Sequence, residues 1–472
     1  MRAELAKLAG DDAVVATDGH LLTDMTRMPG RADAVVLPST AEAVAKVVAW
    51  CYEHDVPITP RGGGTGLAGG AVADGGVVIG LERLARVRSF DPLLWRMEAE
   101  AGVTTASVQR TARESGLFFA PDPGAAELSQ IGGNVATNAA GPHAFKYGGT
   151  GAWVTGLEAV LPPGELVSVG GAIRKDVAGY DLKSLLIGSE GTLGIVTAAW
   201  LKLIPAPEVT LPVVAFYADT RAGCDAILRV LGHGVRAAAV EYLDGEALAS
   251  GAASYEPGVP PGAGFMVIGE ADGTPDEAEH VRNELHEALS DGALAVHSPR
   301  ERGELEALWR WRAGLAFAVL ARRGGAVSDD IVVPLDRLAE AIEQTVEIGR
   351  RHDLVALSFG HAGDGNLHST FLVEPGNADE LARAMAACEE LFELAVSLGG
   401  SISGEHGVGL LKRGQLARQW QPRTLELHAA VKAAFDPKNL LNPGKKLAVG
   451  PSFVGARRSS SSAGRASGRP GS

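Results

Sequence analysis

Residues 60–70 read PRGGGTGLAGG. Gly64, Gly66 and Gly69 satisfy the G-x-G-x-x-G spacing of a dinucleotide fold, in which the glycine turn must open a helix whose N-terminus faces a pyrophosphate. Residues 71–81, AVADGGVVIGL, instead bring two more glycines and then an apolar strand, so no such helix follows. The residues just before the loop, 56–59, also read as a strand. A long glycine loop between two strands exposes bare backbone N–H groups that can approach a phosphate closely. An ordinary glycine-rich hairpin is the competing explanation. Two further small-residue stretches, both expected to be loops, weigh against it: residues 131–160, IGGNVATNAAGPHAFKYGGTGAWVTGLEAV, and 188–197, GSEGTLGIVT.

Outward from these segments, apolar strands alternate with capped helices. Ser39 with Glu42 has the form of a capping box, followed by Val44, Val47, Val48 and Cys51 on one helical face. Strands are expected at 77–81, 156–161 and 195–203, and Pro205 and Pro207 mark the end of a first domain spanning 30–207. A second domain, 208–446, opens with a strand at 211–216. Its helices include one with Thr274 as N-cap and Pro275 at the first position, and one begun by Asn377 that carries Leu381, Met385, Cys388 and Phe392. Short strands between such helices predict an α+β architecture. Residues 447–472, ending RRSSSSAGRASGRPGS, lack the apolar content to fold and are expected to be a disordered tail.

The chain has 472 residues with 61 glycines, no G-X-Y period and 46% hydrophobic residues, which excludes collagen and wholesale disorder. A formal charge of −14 argues against a nucleic-acid-coating surface. The three cysteines, Cys51, Cys224 and Cys388, are too far apart in sequence for a CxxC zinc site or a cysteine-ligated cluster. Without a leader-like N-terminus or a run of 18 apolar residues, the expected location is the cytoplasm, with attachment to the inner face of the membrane as a variant.

The ordered set PRGGGTGLAGG, PDPG (121–124), IGGNVATNAAG and YDLKSLLIGSEGTLGIVT resembles the FAD-binding domain of the vanillyl-alcohol-oxidase or p-cresol-methylhydroxylase type. The resemblance implies a two-domain flavoprotein in which an α+β cap domain accompanies the FAD-binding domain. It implies FAD contacts from Arg61, Gly62, Gly63, Gly64, Thr65, Gly66, Gly69 and Gly70 in the first loop and from Asp122. It extends them to Gly132, Gly133, Asn134, Thr137, Asn138 and Gly141, and to Glu190, Gly191, Gly194 and Ile195. The first loop has Thr65 and no histidine, so non-covalent FAD is expected.

The stretch LSFGHAGDGNLHSTFL (357–372) supplies the sharpest chemistry. Asp364-Gly365 reads as a two-residue hairpin turn, a register that sets His361 directly opposite His368, close enough for two imidazoles to converge on one ion. Two surface histidines beside a turn are the alternative. A carboxylate is available in SISGEHGVG, where Glu405 precedes His406. Two imidazoles and one carboxylate with an open position suit a catalytic divalent cation, zinc in the first instance, with iron or manganese also accommodated.

HAGDGNLH, SGEHGVG and NPGK (442–445) resemble the C-terminal domain of FAD-linked D-2-hydroxyacid dehydrogenases, a family that includes glycolate oxidase FAD subunits and D-lactate dehydrogenases. The resemblance implies metal ligation by His361, His368 and Glu405, proton abstraction by His406, and approach of Asn442 to the flavin. In LWRWRAGLAFAV (308–319) it implies that Arg312, or else Arg310, holds a substrate carboxylate; both could instead be solvated helix arginines. The implied reaction is oxidation of a small D-2-hydroxy acid, of the glycolate or D-lactate type, to the 2-oxo acid. Reoxidation would fall to an iron-sulfur subunit, a quinone, an electron-transfer flavoprotein or oxygen, and a homodimer is compatible with this scheme. An alcohol or sugar oxidase of the same fold and a non-catalytic FAD-binding subunit remain as alternatives.

Overall fold

The computed structural model describes residues 1–17 and 19–447. The expected tail lies, but for its first residue, outside them. Thr40, one residue beyond the expected Ser39, begins the first long helix, Ala41–Glu53. Its hydroxyl accepts the Ala43 N–H at 3.1 Å, and this start lets Ala41 and Ala43 join Val44, Val47, Val48 and Cys51 on the buried face. That helix shares a hydrophobic core with a four-stranded sheet of β1 (Val14–Val15), β2 (Ala34–Val36), β3 (Ile58–Arg61) and β4 (Val77–Gly80), in the order β1-β2-β4-β3. Strands β3 and β4 are parallel neighbours, so the chain must cross over between them. It does so without a helix, through the glycine loop 62–76.

The chain continues through β5 (Val87–Asp91), β6 (Arg96–Glu100), β7 (Leu117–Phe118), β8 (Val154–Leu161), β9 (Glu165–Gly170), β10 (Ile195–Lys202) and β11 (Ile204–Pro205). Five of these form a sheet ordered β5-β6-β10-β8-β9, while β7 and β11 pair separately. The second small-residue stretch is partly helical. Ile131–Thr137 forms two turns that bury Ile131 and Val135 and end at Asn138, which adopts φ +54. Apolar residues at i and i+4 fold this stretch as a helix against β6 and β10 despite its glycines.

The remaining strands are β12 (Val209–Tyr217), β13 (Ala239–Asp244), β14 (Phe265–Gly273), β15 (Ala295–His297), β16 (Gly325–Val332), β17 (Ala356–His361) and β18 (Asn366–Val373). They form one antiparallel sheet in the order β15-β12-β14-β13-β17-β18-β16. Helices Thr220–Gly232, Pro275–Ser290, Leu338–Arg351 and Ala378–Ser397 cover one face. Thr274 and Glu277 form the capping box of the second of these. In the last, Asn377 caps as expected, but Leu381 and Met385 are exposed. The buried stripe is instead Ala384, Ala387, Cys388, Leu391, Phe392 and Ala395, since small alanines let the helix lie close to the sheet. All three cysteines are buried and free.

The other face is apolar at one end, where Leu243, Ile268 and Phe359 meet helix Arg302–Ala321, and polar at the other. Directly paired residues of antiparallel strands share a face. The pairs Glu241–His361, Phe359–His368 and His368–Asp330 therefore align Glu241, His361, His368 and Asp330 across four adjacent strands. Glu270, two residues beyond the Glu241 partner Ile268, extends the row.

Candidate active site

Residues Ala362–Asp364 form a single 3-10 turn, and Gly365 follows at φ +68. The connection is thus four residues long, not two, and the register moves with it: His361 pairs with Asn366, and His368 with Phe359. The expected direct opposition of the two histidines is replaced by a diagonal on the same face. Their Nε2 atoms nevertheless lie 3.4 Å apart, because both rings lean toward the same point. Oε1 of Glu405 completes a triangle, 3.3 Å from His361 Nε2 and 3.4 Å from His368 Nε2.

These edges fit a divalent cation. Two donors about 2.0–2.1 Å from one tetrahedral ion lie roughly 3.3–3.4 Å from each other. Two Nε2 atoms facing one another across that distance can share at most one proton, so a cation satisfies the set better than hydrogen bonding does. Glu241, wholly buried, accepts from Nδ1 of His361 at 2.6 Å and turns its Nε2 into the triangle. Burial opposes charge on His361, but Glu241 and Glu405 outweigh it and raise its pKa well above the ordinary imidazole value. His368 goes the other way, to about 3, through burial and the neighbouring His361 and His406. Its Nδ1 is buried without a partner among the described residues. Burial also pushes Glu405 upward, yet the three histidines prevail and hold it at about 2.

The loop bearing Glu405 and His406 is fixed from below by Asp330. One oxygen of Asp330 accepts the backbone N–H groups of Gly404, Glu405 and His406 at 2.7, 2.6 and 3.1 Å. The other takes the ammonium of Lys412 at 2.6 Å and lies 3.5 Å from His406 Nδ1. The His406 ring stacks on His368, with centroids 5.2 Å apart. Arg312, on helix Arg302–Ala321, donates to the second oxygen of Glu241 at 2.6 Å and lies over the Phe359 ring, while its buried Nε has no partner among the described residues. Arg310, two residues earlier, is exposed.

The glycine segments converge on the first two sheets. A Cβ on Gly62 would stand 3.3 Å from the Cα of Gly133, so the first loop and the start of helix Ile131–Thr137 face each other with bare backbone. Gly64, at φ +69, lies against the Arg61 guanidinium, where a Cβ would come within 2.2 Å of it. Residues 61–66, Thr65 among them, are half-buried, and a Cβ on Gly70 would meet open space. Gln130 Oε1 and Ser189 Oγ, beside these segments, are buried without partners among the described residues. A cradle walled by backbone and carrying unspent polar atoms fits a phosphate-bearing cofactor.

Several expected flavin contacts have side chains already engaged. Asn134 donates to Thr105 at 2.6 Å, Asn138 accepts from the Gly151 N–H at 2.8 Å, and Thr137 donates to the Gly133 carbonyl at 3.1 Å. Glu190, at φ +54, accepts from the N–H groups of Val408 and Gly409 at 2.9 and 2.7 Å. It thereby ties the GSEG segment to the loop of Glu405. The Asn442 amide donates to the carbonyls of Gly70 and Glu190 at 2.9 and 2.8 Å. Gly191 lies against Pro60, Gly194 against Leu161, and Ile195 is a core residue at the head of β10.

Asp122 accepts from His143 Nδ1 at 2.5 Å, and Gly141 lies against the Asp122 carbonyl. The other nitrogen of His143 meets Glu270 at 2.8 Å, which also accepts from Trp309 Nε1 at 2.6 Å. His143, Glu270, Glu241, Asp330 and Lys412 were not singled out from the sequence. A lone acid inside an apolar strand, as in AAAVEYLD, was the available signal.

Residues 206–446 match the family described as FAD linked oxidases, C-terminal domain, and residues 32–170 match the FAD binding domain family. The chain belongs to the FAD-linked oxidases. Among relatives of this flavoprotein enzyme, the glycolate oxidase subunit GlcD of Bacillus subtilis (strain 168) is 36% identical, the alignment covering 88% of this chain and 89% of that one. D-lactate dehydrogenase of Anaerostipes hadrus is 34% identical, with 88% and 89% covered. The structure of p-cresol methylhydroxylase with substrate bound superposes with a TM-score of 0.77 at 20% identity, covering 94% of this chain and 95% of the other. The FAD-linked oxidase described here therefore has the fold of the p-cresol-methylhydroxylase type and is of the glycolate oxidase or D-lactate dehydrogenase kind. Among the described residues, no helix is long and apolar enough to cross a membrane.

Proposed function

We propose that this FAD-linked oxidase oxidises a small D-2-hydroxy acid, of the glycolate or D-lactate type, to the 2-oxo acid. The observation that carries the reading is the triangle that His361 and His368 of the sheet form with Glu405, next to His406, with Arg312 reaching the same row of the sheet through Glu241. When bound, FAD supplies the hydride acceptor and a divalent cation, zinc in our reading, polarises the substrate hydroxyl. His361, His368 and Glu405 would hold the cation. Residues 61–66 and 131–133 would hold the FAD phosphates by their backbone.

The remaining work falls to the chain itself. Arg312 has an unspent Nε, so its planar fork can still donate to a carboxylate while Glu241 holds its other end. His406 takes the hydroxyl proton on Nε2, with Asp330 facing its Nδ1. Asp330 and Glu190 fix the Glu405–His406 loop, so the base meets the substrate in one orientation. A relative named as a glycolate oxidase subunit supports a further subunit as partner of the reduced enzyme, with a quinone, an electron-transfer flavoprotein or oxygen as the alternative acceptors. Incubating the protein with D- and L-lactate, glycolate and a dye acceptor tests this reading. Formation of 2-oxo acid from the D-form or glycolate, and not from L-lactate, is the expected outcome; no turnover of either would refute it.

A further inference from the structure

Away from the sites described above, the outer end of the five-stranded sheet carries a cleft of about 150 Å³. Its lining includes Leu94, Trp95, Arg96, Ile173, Arg174 and Lys202 and, among the described residues, no carboxylate. Three cations thus share one small concavity in a chain whose formal charge is −14. Arg96 has Asp91 at 3.7 Å, but its buried Nε has no partner among the described residues. Arg174 lies over the Trp95 ring at 5.4 Å. The Lys202 ammonium lies over the Trp153 ring at 5.3 Å and makes no ion pair among the described residues, and burial with the neighbouring Arg174 presses it toward the neutral form.

The rim of the cleft is apolar and projects outward. Residues 92–95 form the tip of the hairpin joining β5 and β6. Leu93 and Leu94 on that tip are 86% and 50% exposed, and Ile173 on the facing loop is 53% exposed. Trp95 is held at φ +53, a conformation that a bulky side chain rarely adopts and that persists where the surroundings impose it. Protruding leucines around a cationic cleft, with tryptophan at the boundary, match the layers of a bilayer surface: acyl chains, interface and anionic headgroups. They match a flat protein interface less well, because the apolar residues stand on a convex tip.

We propose that this corner docks on an anionic phospholipid bilayer, with a headgroup phosphate seated among Arg96, Arg174 and Lys202 and with Leu93, Leu94 and Ile173 entering the acyl boundary. The acidic remainder of the molecule is repelled by such a surface, so the cationic corner also sets the orientation. The proposal is independent of the proposed reaction and survives if the substrate is another alcohol.

Co-sedimentation of the flavin-loaded full chain with phosphatidylcholine vesicles, with and without phosphatidylglycerol, tests it. The expected result is binding to the anionic vesicles about tenfold tighter than to neutral ones, weakened by salt. The double substitution Leu93→Ser/Leu94→Ser and the single Arg174→Glu should each reduce that binding about tenfold while the flavin spectrum and melting temperature stay unchanged. Equal affinity for both vesicle types, no sedimentation with either, or undiminished binding in both variants would overturn it. So would Arg174-dependent uptake of inorganic phosphate without vesicle binding, or a dimer that dissociates in the leucine variant while vesicles are ignored.

Discussion

His361 donates from Nδ1 to Glu241 at 2.6 Å, in a pair enclosed between adjacent strands β13 and β17. The same carboxylate receives Arg312, so one buried acid sets both the tautomer of a proposed ligand and the aim of a proposed substrate clamp. Glu241→Gln keeps the volume and loses the charge. We expect metal retention after dialysis to fall about 10–100-fold, with KM rising as Arg312 loosens. Unchanged metal content and KM would contradict this role.

His368 contributes a nitrogen to the triangle, and its ring packs against Phe359, His361 and His406. His368→Ala should abolish substrate-dependent flavin reduction and bound metal while leaving the FAD spectrum intact. Metal analysis alongside absorbance separates the two effects.

Asp330 and Lys412 are both buried, and the pair anchors the Glu405–His406 loop. Lys412→Met removes the ammonium that balances the enclosed Asp330 charge, at a cost of about 3–5 kcal/mol in urea unfolding. Burial raises the Asp330 carboxyl, but Lys412 and His406 lead the opposing interactions and hold it well below its ordinary value. A depressed carboxyl contributes stability in full above about pH 4 and loses it as pH falls through the folded value. Asp330→Asn should therefore flatten the loss of stability seen in acid.

Much of the fold was legible because its signals are local. Thr274 with Glu277 and Asn377 with Glu380 cap helices through contacts three residues apart. The convergence of His361, His368 and Glu405 was also legible, although the register was not: the sequence Asp364-Gly365 does not reveal that Ala362 and Gly363 join the turn. The motif around Glu190 implies a flavin contact by resemblance alone, and the hold of Glu190 on Val408 spans 218 residues and has no local signature. The same holds for Glu241, whose partners His361 and Arg312 lie 120 and 71 residues away.

His143 bridges Asp122 of the flavin-binding half and Glu270 of the large antiparallel sheet. Burial disfavours its charge, but the two carboxylates outweigh burial and raise its pKa well above 6.5. A raised imidazole contributes stability in full below about pH 6.5 and loses it as pH rises through the folded value. The melting temperature should accordingly fall from pH 6 to pH 9, and His143→Gln should remove about 2–4 °C of that dependence. An identical pH profile in the variant would count against the bridge.

The most direct test of the central claim is anaerobic titration of the FAD-loaded protein with D-lactate or glycolate, before metal removal, after it, and after zinc is restored. The account predicts bleaching of the flavin absorbance in the untreated protein, its loss on chelation and its return with zinc, and no bleaching by L-lactate. Bleaching that persists undiminished in metal-free protein, or a flavin that neither acid reduces, would contradict it.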